Sequence, residues 1–191
     1  NLSGGQIVEQ TIHQFDIIRY VFGEPETVFT FGTRGFVKGV SDYKTDDLSV
    51  TAVRFKNGAL AAISTGCFAK SGAASDNKVT FSAKTARAEL KILDRLELFG
   101  VSGEQKNREE ERGLVLKNDG TLKDSGDSVI IKENVDAGIL CDRTFIDAAI
   151  SRDASKVRSP YEDAVKTLAF TLACNKSMDT GLPVDVYDML K

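Results

Sequence analysis

The sequence is poor in the residues that most often mark a catalytic or metal-binding site. Its 191 residues include one histidine, three cysteines and no tryptophan. A single histidine without a Gly-x-Ser-x-Gly motif gives no support to a serine or cysteine triad. Cys67, Cys141 and Cys174 stand in no CxxC or zinc-ligand spacing, and their odd number is typical of a reducing compartment. We therefore expect buried free thiols, no metal site and a cytoplasmic location.

The motifs of nucleotide, nucleic-acid and membrane binding are also absent from the sequence. No GxGxxG motif or P-loop follows a predicted strand, so no nicotinamide-binding domain is expected in this chain. A net charge of −3 offers no electrostatic attraction to nucleic acid or an anionic membrane. No stretch reaches the roughly 18 apolar residues of a membrane span. The chain starts at Asn1 without an initiator Met or a basic leader, which predicts a piece of a longer protein.

What the sequence does contain is typical of one globular domain over residues 1–191. The predicted strands cover residues 27–31, 48–55, 59–68, 78–83, 88–92, 95–99, 129–132 and 184–186. Asn57-Gly58 favours a tight hairpin, and Leu93-Asp94 a second turn. Because parallel strands need long crossovers, these short connections predict antiparallel pairing. Residues 101–127 are polar and predict a solvated loop or an excursion at the sheet edge.

Three helices are predicted from the spacing of apolar residues. Residues 5–22 carry a broad apolar stripe and end at Gly23, which predicts one continuous helix. Two more are expected over residues 135–151 and 160–178, the latter with Ser159 as N-cap and the proline after it at the first helical position. The run Thr180-Gly181-Leu182-Pro183 predicts the end of this last helix. The order of helix, strands and two helices indicates an α+β fold. We expect an open, mostly antiparallel sheet with helices packed on one face.

The opening helix carries the clearest candidate site. Glu9 lies four positions before His13, so on a continuous helix the two side chains share a face, and Asp16 follows three positions later. A carboxylate beside an imidazole favours the protonated imidazole and fixes its orientation, both useful in acid–base catalysis. A surface or packing pair is the alternative interpretation of the same spacing. Three metal ligands on one helix do not make a usual closed metal site.

The two ends of the chain resemble a known family. Gly4-Gly5, Glu9, His13, Asp16 and Gly23-Glu24-Pro25 are similar to the opening of the C-terminal domain in the glucose–fructose oxidoreductase, inositol dehydrogenase and rhizopine-catabolism (Gfo/Idh/MocA) family. The resemblance continues through the following motifs: Asp46-Asp47, Phe55-Lys56-Asn57-Gly58, Phe145-Ile146-Asp147-Ala148-Ala149, Ser159-Pro160-Tyr161-Glu162-Asp163-Ala164, Ser177 and Gly181-Leu182-Pro183-Val184. It covers nearly the whole chain.

This resemblance implies a fold and a function. The fold would be the dihydrodipicolinate-reductase-like C-terminal domain, which follows a nicotinamide-binding Rossmann domain and contributes to a homodimer or tetramer through its sheet. The implied reaction is oxidation of a hydroxyl group of a sugar, polyol or related compound, with NAD or NADP as cofactor. His13 would be the acid–base residue and Glu9 its positioning partner. Many members carry Asp where this chain has Glu9.

Other roles implied by the resemblance are less well located. Asp16 and Arg143 would contact substrate, and Arg34, Lys38 and Tyr43 are further candidates. The family's Glu-Lys-Pro motif, whose lysine completes the catalytic set, belongs to the Rossmann domain and is absent here, so the isolated chain is expected to be inactive. Two alternatives remain open: a non-catalytic sugar-binding or regulatory relative, and a structural assembly domain.

Overall fold

The computed structural model of the chain describes residues 4–34, 38–39, 45–66, 77–84, 86–92, 95–99, 115–117, 128–132 and 136–191. The chain divides into two compact units. The first combines Asn1–Ala73 with Ser159–Lys191, and the second is Ala74–Arg158. The two ends of the chain, which carry the predicted site motifs, thus fold together in one unit.

The elements follow the expected order. The described helices are α1 (Gly5–Glu9), α2 (Ile12–Phe22), α3 (Ala137–Ser151) and α4 (Tyr161–Thr180), and a 3₁₀ turn covers Val186–Leu190. The strands are β1 (Pro25–Thr33), β2 (Leu48–Phe55), β3 (Leu60–Gly66), β4 (Lys78–Ser82), β5 (Arg87–Lys91), β6 (Arg95–Phe99), β7 (Val115–Lys117), β8 (Ser128–Lys132) and β9 (Val184–Asp185). Among the described residues every strand pair is antiparallel, which confirms the α+β prediction.

The strands divide between two sheets where the sequence predicted one. The first unit holds a four-stranded sheet in the order β3-β2-β1-β9, and the second a five-stranded sheet in the order β4-β5-β6-β8-β7. The polar segment 101–127 contributes β7, a strand at the edge of the second sheet that the sequence did not identify as a strand. Its three residues are too few to give a strand pattern on their own.

The hairpin between β2 and β3 has the predicted turn. Gly58 has a positive φ of 85°, which glycine adopts without steric cost. The Asn57 side chain accepts a hydrogen bond from the Ala59 amide at 3.0 Å and donates one to the Phe22 carbonyl at 2.8 Å. The turn therefore also fixes the end of α2 against the first sheet. The predicted turn at 93–94 lies outside the described residues.

The opening segment is two helices, so the prediction of one continuous helix over residues 5–22 is wrong. The Thr11 amide donates to the Gln6 carbonyl at 3.2 Å, five residues back, and the Thr11 hydroxyl is 3.3 Å from the Ile7 carbonyl. A new helix begins where the Thr11 carbonyl accepts from Gln14 and Phe15. A threonine hydroxyl competes in this way with the backbone for helical hydrogen bonds. The spacing of apolar residues does not reveal such a break in the helix.

The last long helix begins one residue later than predicted. The Pro160 carbonyl accepts from the Asp163 and Ala164 amides, so Pro160 is the N-cap and Tyr161 the first helical residue. The helix ends as expected at Gly181, which is left-handed with φ 67° and donates to the Ser177 carbonyl at 2.8 Å.

The core of the first unit lies between its sheet and α1, α2 and α4. Residues of β2 alternate between buried and exposed, so one sheet face packs against the helices. Phe15 of α2, Phe55 of β2 and Phe170 of α4 are almost completely buried. The Phe15 and Phe170 rings meet edge to face at 4.7 Å, and the Phe55 and Phe170 rings at 6.4 Å. This aromatic cluster joins both ends of the chain.

Part of that buried face is polar. Thr30 and Thr51 share a hydrogen bond of 3.0 Å across β1 and β2. The Ser177 hydroxyl accepts from the Thr30 amide at 2.9 Å and donates to the Leu182 carbonyl at 2.7 Å. These paired hydroxyls avoid the cost of burying an unsatisfied polar group. They also fix the position of α4 along the sheet.

Cys174 is completely buried on α4, as the sequence predicted. Burial raises the pKa of its thiol from 9.0 to about 12, although hydrogen bonding with Thr30 and Thr51 acts in the opposite direction. Cys141 is exposed, so the prediction of a buried thiol is wrong there, since α3 buries none of its residues. Cys67 lies outside the described residues.

The buried thiol should make the chain less stable in alkaline solution. The unfolded thiol ionises near pH 9 and the folded one only near pH 12. The contribution to stability is therefore complete below about pH 9 and is lost between about pH 9 and 12. We expect the free energy of unfolding to fall faster with pH in the native sequence than in Cys174→Ala, by at most about 1.4 kcal/mol per pH unit. Urea unfolding across this range would contradict the prediction if the two slopes were equal.

Both faces of the sheet in the second unit carry buried residues. Val129 of β8 is buried on one face, and Ile130 of β8 and Glu97 of β6 are buried opposite each other on the other face. Glu97 also lies directly opposite Glu89 of β5, and Glu89 pairs with Arg87 at 3.1 Å. The Glu97 Oε1 atom has no hydrogen-bond partner among the described residues.

No helix of the described chain is long and apolar enough to cross a membrane.

Candidate functional site

The candidate catalytic pair lies on the surface of the first unit. Glu9 is the last residue of α1, and His13 lies in the first turn of α2. Both residues are exposed. Among the described residues, none forms a hydrogen bond or ion pair with the Glu9 carboxylate or the His13 imidazole. The imidazole is therefore open to a ligand from the solvent side.

The helix break changes how these two residues relate. Gln10 and Thr11 separate α1 from α2, so the spacing of four residues no longer guarantees a shared helical face. Glu9 is carried by a five-residue helix and His13 by an eleven-residue one. A role of Glu9 in orienting His13 stays a prediction.

Asp16 belongs to a different group of side chains, centred on Arg19. Arg19 of α2 is only 7% exposed. Its Nε donates to the Thr167 hydroxyl at 3.0 Å, Nη1 donates to Glu24 at 3.2 Å, and Nη2 donates to the carboxylate and the carbonyl of Asp163. The Thr167 hydroxyl in turn donates to the Asp16 carboxylate at 2.5 Å. The same carboxylate oxygen lies 3.8 Å from the Arg19 Nη2. Asp16 is thus engaged in joining α2 to α4.

The planar fork of the Arg19 guanidinium suits this network. It offers five donors in a fixed geometry, which lysine cannot reproduce. Lys166 also reaches Glu24, at 3.3 Å, so Glu24 joins two cations. The network holds α2, the helix of His13, against α4. Sequence reasoning did not identify Arg19, because its neighbours on α4 are about 145 positions away along the chain.

The other predicted contact residues lie apart from His13 along the chain. Arg143 is exposed on α3 in the second unit. Arg34 follows β1 and pairs with Asp46 at 3.2 Å. Lys38 is exposed, and Tyr43 lies outside the described residues. The roles of Arg143 and Asp16 in substrate binding stay predictions.

A cleft of about 190 Å³ opens on the first unit at the start of α1. It is lined by Gly4, Gly5, Gln6, Ile7, Arg34, Thr45, Asp46, Ser49, Asn175, Met178 and Asp179. Gly4 and Gly5 have positive φ angles of 84° and 85°, and a Cβ on Gly5 would lie 2.7 Å from the Thr45 methyl group. Glycine is therefore required at Gly5 both for its backbone angle and for space. Asn175 donates to the Gly4 carbonyl at 2.6 Å and holds this bend against α4.

The described residues do not fit a dinucleotide cofactor. The cleft is smaller than the roughly 300–1,000 Å³ of sites that take drug-sized ligands. Strand pairing is antiparallel throughout the described part of the chain, whereas dinucleotide-binding domains use a parallel sheet. Within the same residues no group of acids, histidines and cysteines could hold a metal ion.

A comparison against known families identifies the chain. A family model described as the GFO/IDH/MocA C-terminal domain matches residues 1–103. The chain belongs to this family. The match includes Glu9, His13 and Asp16, and it confirms the resemblance seen at the start of the sequence.

Individual relatives agree with the family. A myo-inositol 2-dehydrogenase from Thermotoga maritima is 40% identical over 63 residues, which cover 32% of this chain and 19% of the relative. A levoglucosan dehydrogenase solved with NADH superposes with a TM-score of 0.69 at 18% identity, covering 94% of this chain and 50% of that one. An oxidoreductase from Agrobacterium radiobacter, solved with NAD⁺, L-tartaric acid and magnesium, gives a TM-score of 0.66 at 17% identity, covering 96% and 50%.

The solved structures identify the fold of the chain. At 17–18% identity the solved structures show the fold, and with it the open antiparallel architecture. The chain spans about half the length of these two structures. The matched relative is a myo-inositol 2-dehydrogenase, and the family is one of oxidoreductases.

Proposed function

We propose that the chain is the substrate-binding part of an NAD(P)-dependent oxidoreductase that oxidises a hydroxyl group of a sugar, polyol or related compound. The single observation that carries the proposal is the family match over residues 1–103, which contains an exposed histidine without a protein partner among the described residues. The names of the relatives, an inositol dehydrogenase and a levoglucosan dehydrogenase, support this substrate class.

His13 is the acid–base residue in this proposal. Oxidation of an alcohol to a carbonyl removes a hydride from carbon and a proton from oxygen, and a nicotinamide cofactor bound outside this chain would supply the hydride acceptor. The neutral imidazole of His13 takes the proton, which needs a hydrogen bond of roughly 2.6–3.2 Å to the reacting hydroxyl. An exposed imidazole with no protein partner in the described structure is open to such a hydroxyl. Glu9 stabilises the protonated imidazole as a positioning residue.

The proposal extends to the cofactor, the substrate contacts and self-association. NAD or NADP is bound mainly by residues outside this chain, and both units act as one substrate-binding domain in the cytoplasm. Asp16 and Arg143 contact the substrate. The outward face of the first sheet carries exposed apolar side chains, Phe31 at 67%, Val50 at 48% and Leu60 at 72%. An apolar patch of this kind supports self-association into a homodimer or tetramer through the sheet.

Turnover by the full-length protein that contains this chain tests the proposal. We expect it to reduce NAD⁺ or NADP⁺, seen as nicotinamide absorbance, in the presence of at least one compound from a panel of polyols and sugars. The isolated 191-residue chain should give no such signal, since the strands of its described residues pair antiparallel and form no parallel dinucleotide-binding sheet. Ligand binding without hydride transfer by the full-length protein would instead favour a non-catalytic relative.

A further inference from the structure

The cleft at the start of α1 is lined by charged and polar side chains that determine which ligand it can bind. Its wall carries one cation, Arg34, which is 51% exposed, and two carboxylates, Asp46 and Asp179. The Asn175 amide adds a polar group. The cleft therefore combines hydrogen-bond donors with acceptors and has a formal charge of −1 from these side chains.

Charge and size exclude several ligand classes. Arg34 is already paired with Asp46 at 3.2 Å, so an anion would meet a second carboxylate without an unpaired cation to balance it. The volume of about 190 Å³ excludes a dinucleotide. A small neutral molecule with several hydroxyl groups fits both limits, because each hydroxyl can donate to a carboxylate and accept from a guanidinium or an amide.

The walls of the cleft are held in place by close packing. A Cβ on Gly32 of β1 would lie 2.5 Å from the Met178 sulfur and 2.9 Å from the Asp46 carboxyl carbon, so the backbone of β1 closely approaches both walls. Gly5 packs in the same way against Thr45. Sites held by packed neighbours lose little conformational entropy when they bind a ligand.

We propose that this cleft is a binding site for a monosaccharide-sized polyhydroxy compound, with Asp46 and Asp179 as hydroxyl acceptors and Arg34 and Asn175 as donors. The inference rests on the proposed function for its ligand class, and it adds a site formed by β1, the start of β2 and α4 together with the Gly4-Gly5 bend. His13 is not among its lining residues.

Binding can be measured by NMR titration of the 191-residue chain with myo-inositol and with glucose. We expect saturable shifts of the Gly4 and Gly5 amides and of the Asn175 side-chain amide with at least one of the two probes. Asp46→Asn and Asp179→Asn should each weaken binding at least about tenfold, the effect of losing one hydrogen bond to a charged group. Asp179 is exposed, so its variant tests the inference even if Asp46→Asn does not fold.

Two controls separate this inference from the proposed function. Asp188→Asn removes an exposed acid that does not line the cleft and should leave the affinity of the cleft unchanged. His13→Asn should also leave the shifts at the cleft amides unchanged. Absence of saturable shifts at these amides, loss of the shifts in His13→Asn, or tighter binding of inorganic phosphate would each overturn the inference. Cleft binding by a protein that transfers no hydride would leave the inference standing and refute the proposed function. Turnover without cleft binding would support the proposed function and overturn the inference.

Discussion

Replacing Arg19 by methionine is expected to lower the free energy of unfolding of the first unit by about 3 kcal/mol. Removing one partner of a buried ion pair costs roughly 3–5 kcal/mol when the other charge stays buried. Here Glu24, Asp163 and Asp16 are 33%, 34% and 39% exposed, so water can rehydrate them and the low end applies. The Thr167 hydroxyl also loses its bond to the Arg19 Nε.

The buried thiol gives a local measure of this effect. With Cys67 and Cys141 replaced by serine, Cys174 is the sole thiol, and its labelling rate in urea reports opening of the first unit. Lys176, exposed on α4, supplies the control, since Lys176→Met should change stability by less than about 0.5 kcal/mol. Arg19→Lys should fall between the two, because it keeps the charge but loses the fork. An Arg19→Met variant as stable as Lys176→Met would contradict the role assigned to the network.

Replacing His13 by asparagine in the full-length protein is expected to reduce kcat by about 10²–10⁴-fold, the usual contribution of a positioned acid–base group. Asparagine keeps a polar side chain of similar reach but cannot accept the proton of the hydroxyl group. Because His13 is exposed and has no protein partner among the described residues, the substitution should leave the fold unchanged. The pH dependence of kcat should lose the limb that reports the base.

Two acidic residues of the first unit, Glu9 and Glu26, supply the controls for His13→Asn. Glu9→Gln should lower kcat by a smaller factor and move the pH profile, as expected of a residue that acts through the imidazole. Glu26 is exposed on β1, and Glu26→Gln should leave kcat within about twofold, as is usual for surface substitutions away from a site. Unchanged turnover in His13→Asn would refute its acid–base role and favour a binding or assembly function.

Predictions that depended on neighbouring residues were mostly accurate. Strands 48–55 and 95–99 have the predicted bounds, and the Asn57-Gly58 turn and the helix end at Gly181 are confirmed. These features follow from side-chain alternation, turn chemistry and the backbone freedom of glycine, all of which act over a few residues. The roles of Glu9, His13 and Asp16, which came from their spacing together with the family motif, stay predictions.

The sequence by itself thus determined the α+β class, the order of the elements and the family. Tertiary structure decided which polar residues are joined. It placed Asp16 beside Arg19 and Thr167, and it brought Asn175 of α4 to the Gly4-Gly5 bend across 171 positions of the chain. It also divided α1 from α2, so that the helical spacing linking Glu9 to His13 no longer applies. The physical reason has two parts. The contacts of Asp16 and Asn175 join residues 151 and 171 positions apart, and the helix break depends on the Thr11 hydroxyl competing with the backbone for hydrogen bonds. Apolar periodicity along the chain reports neither.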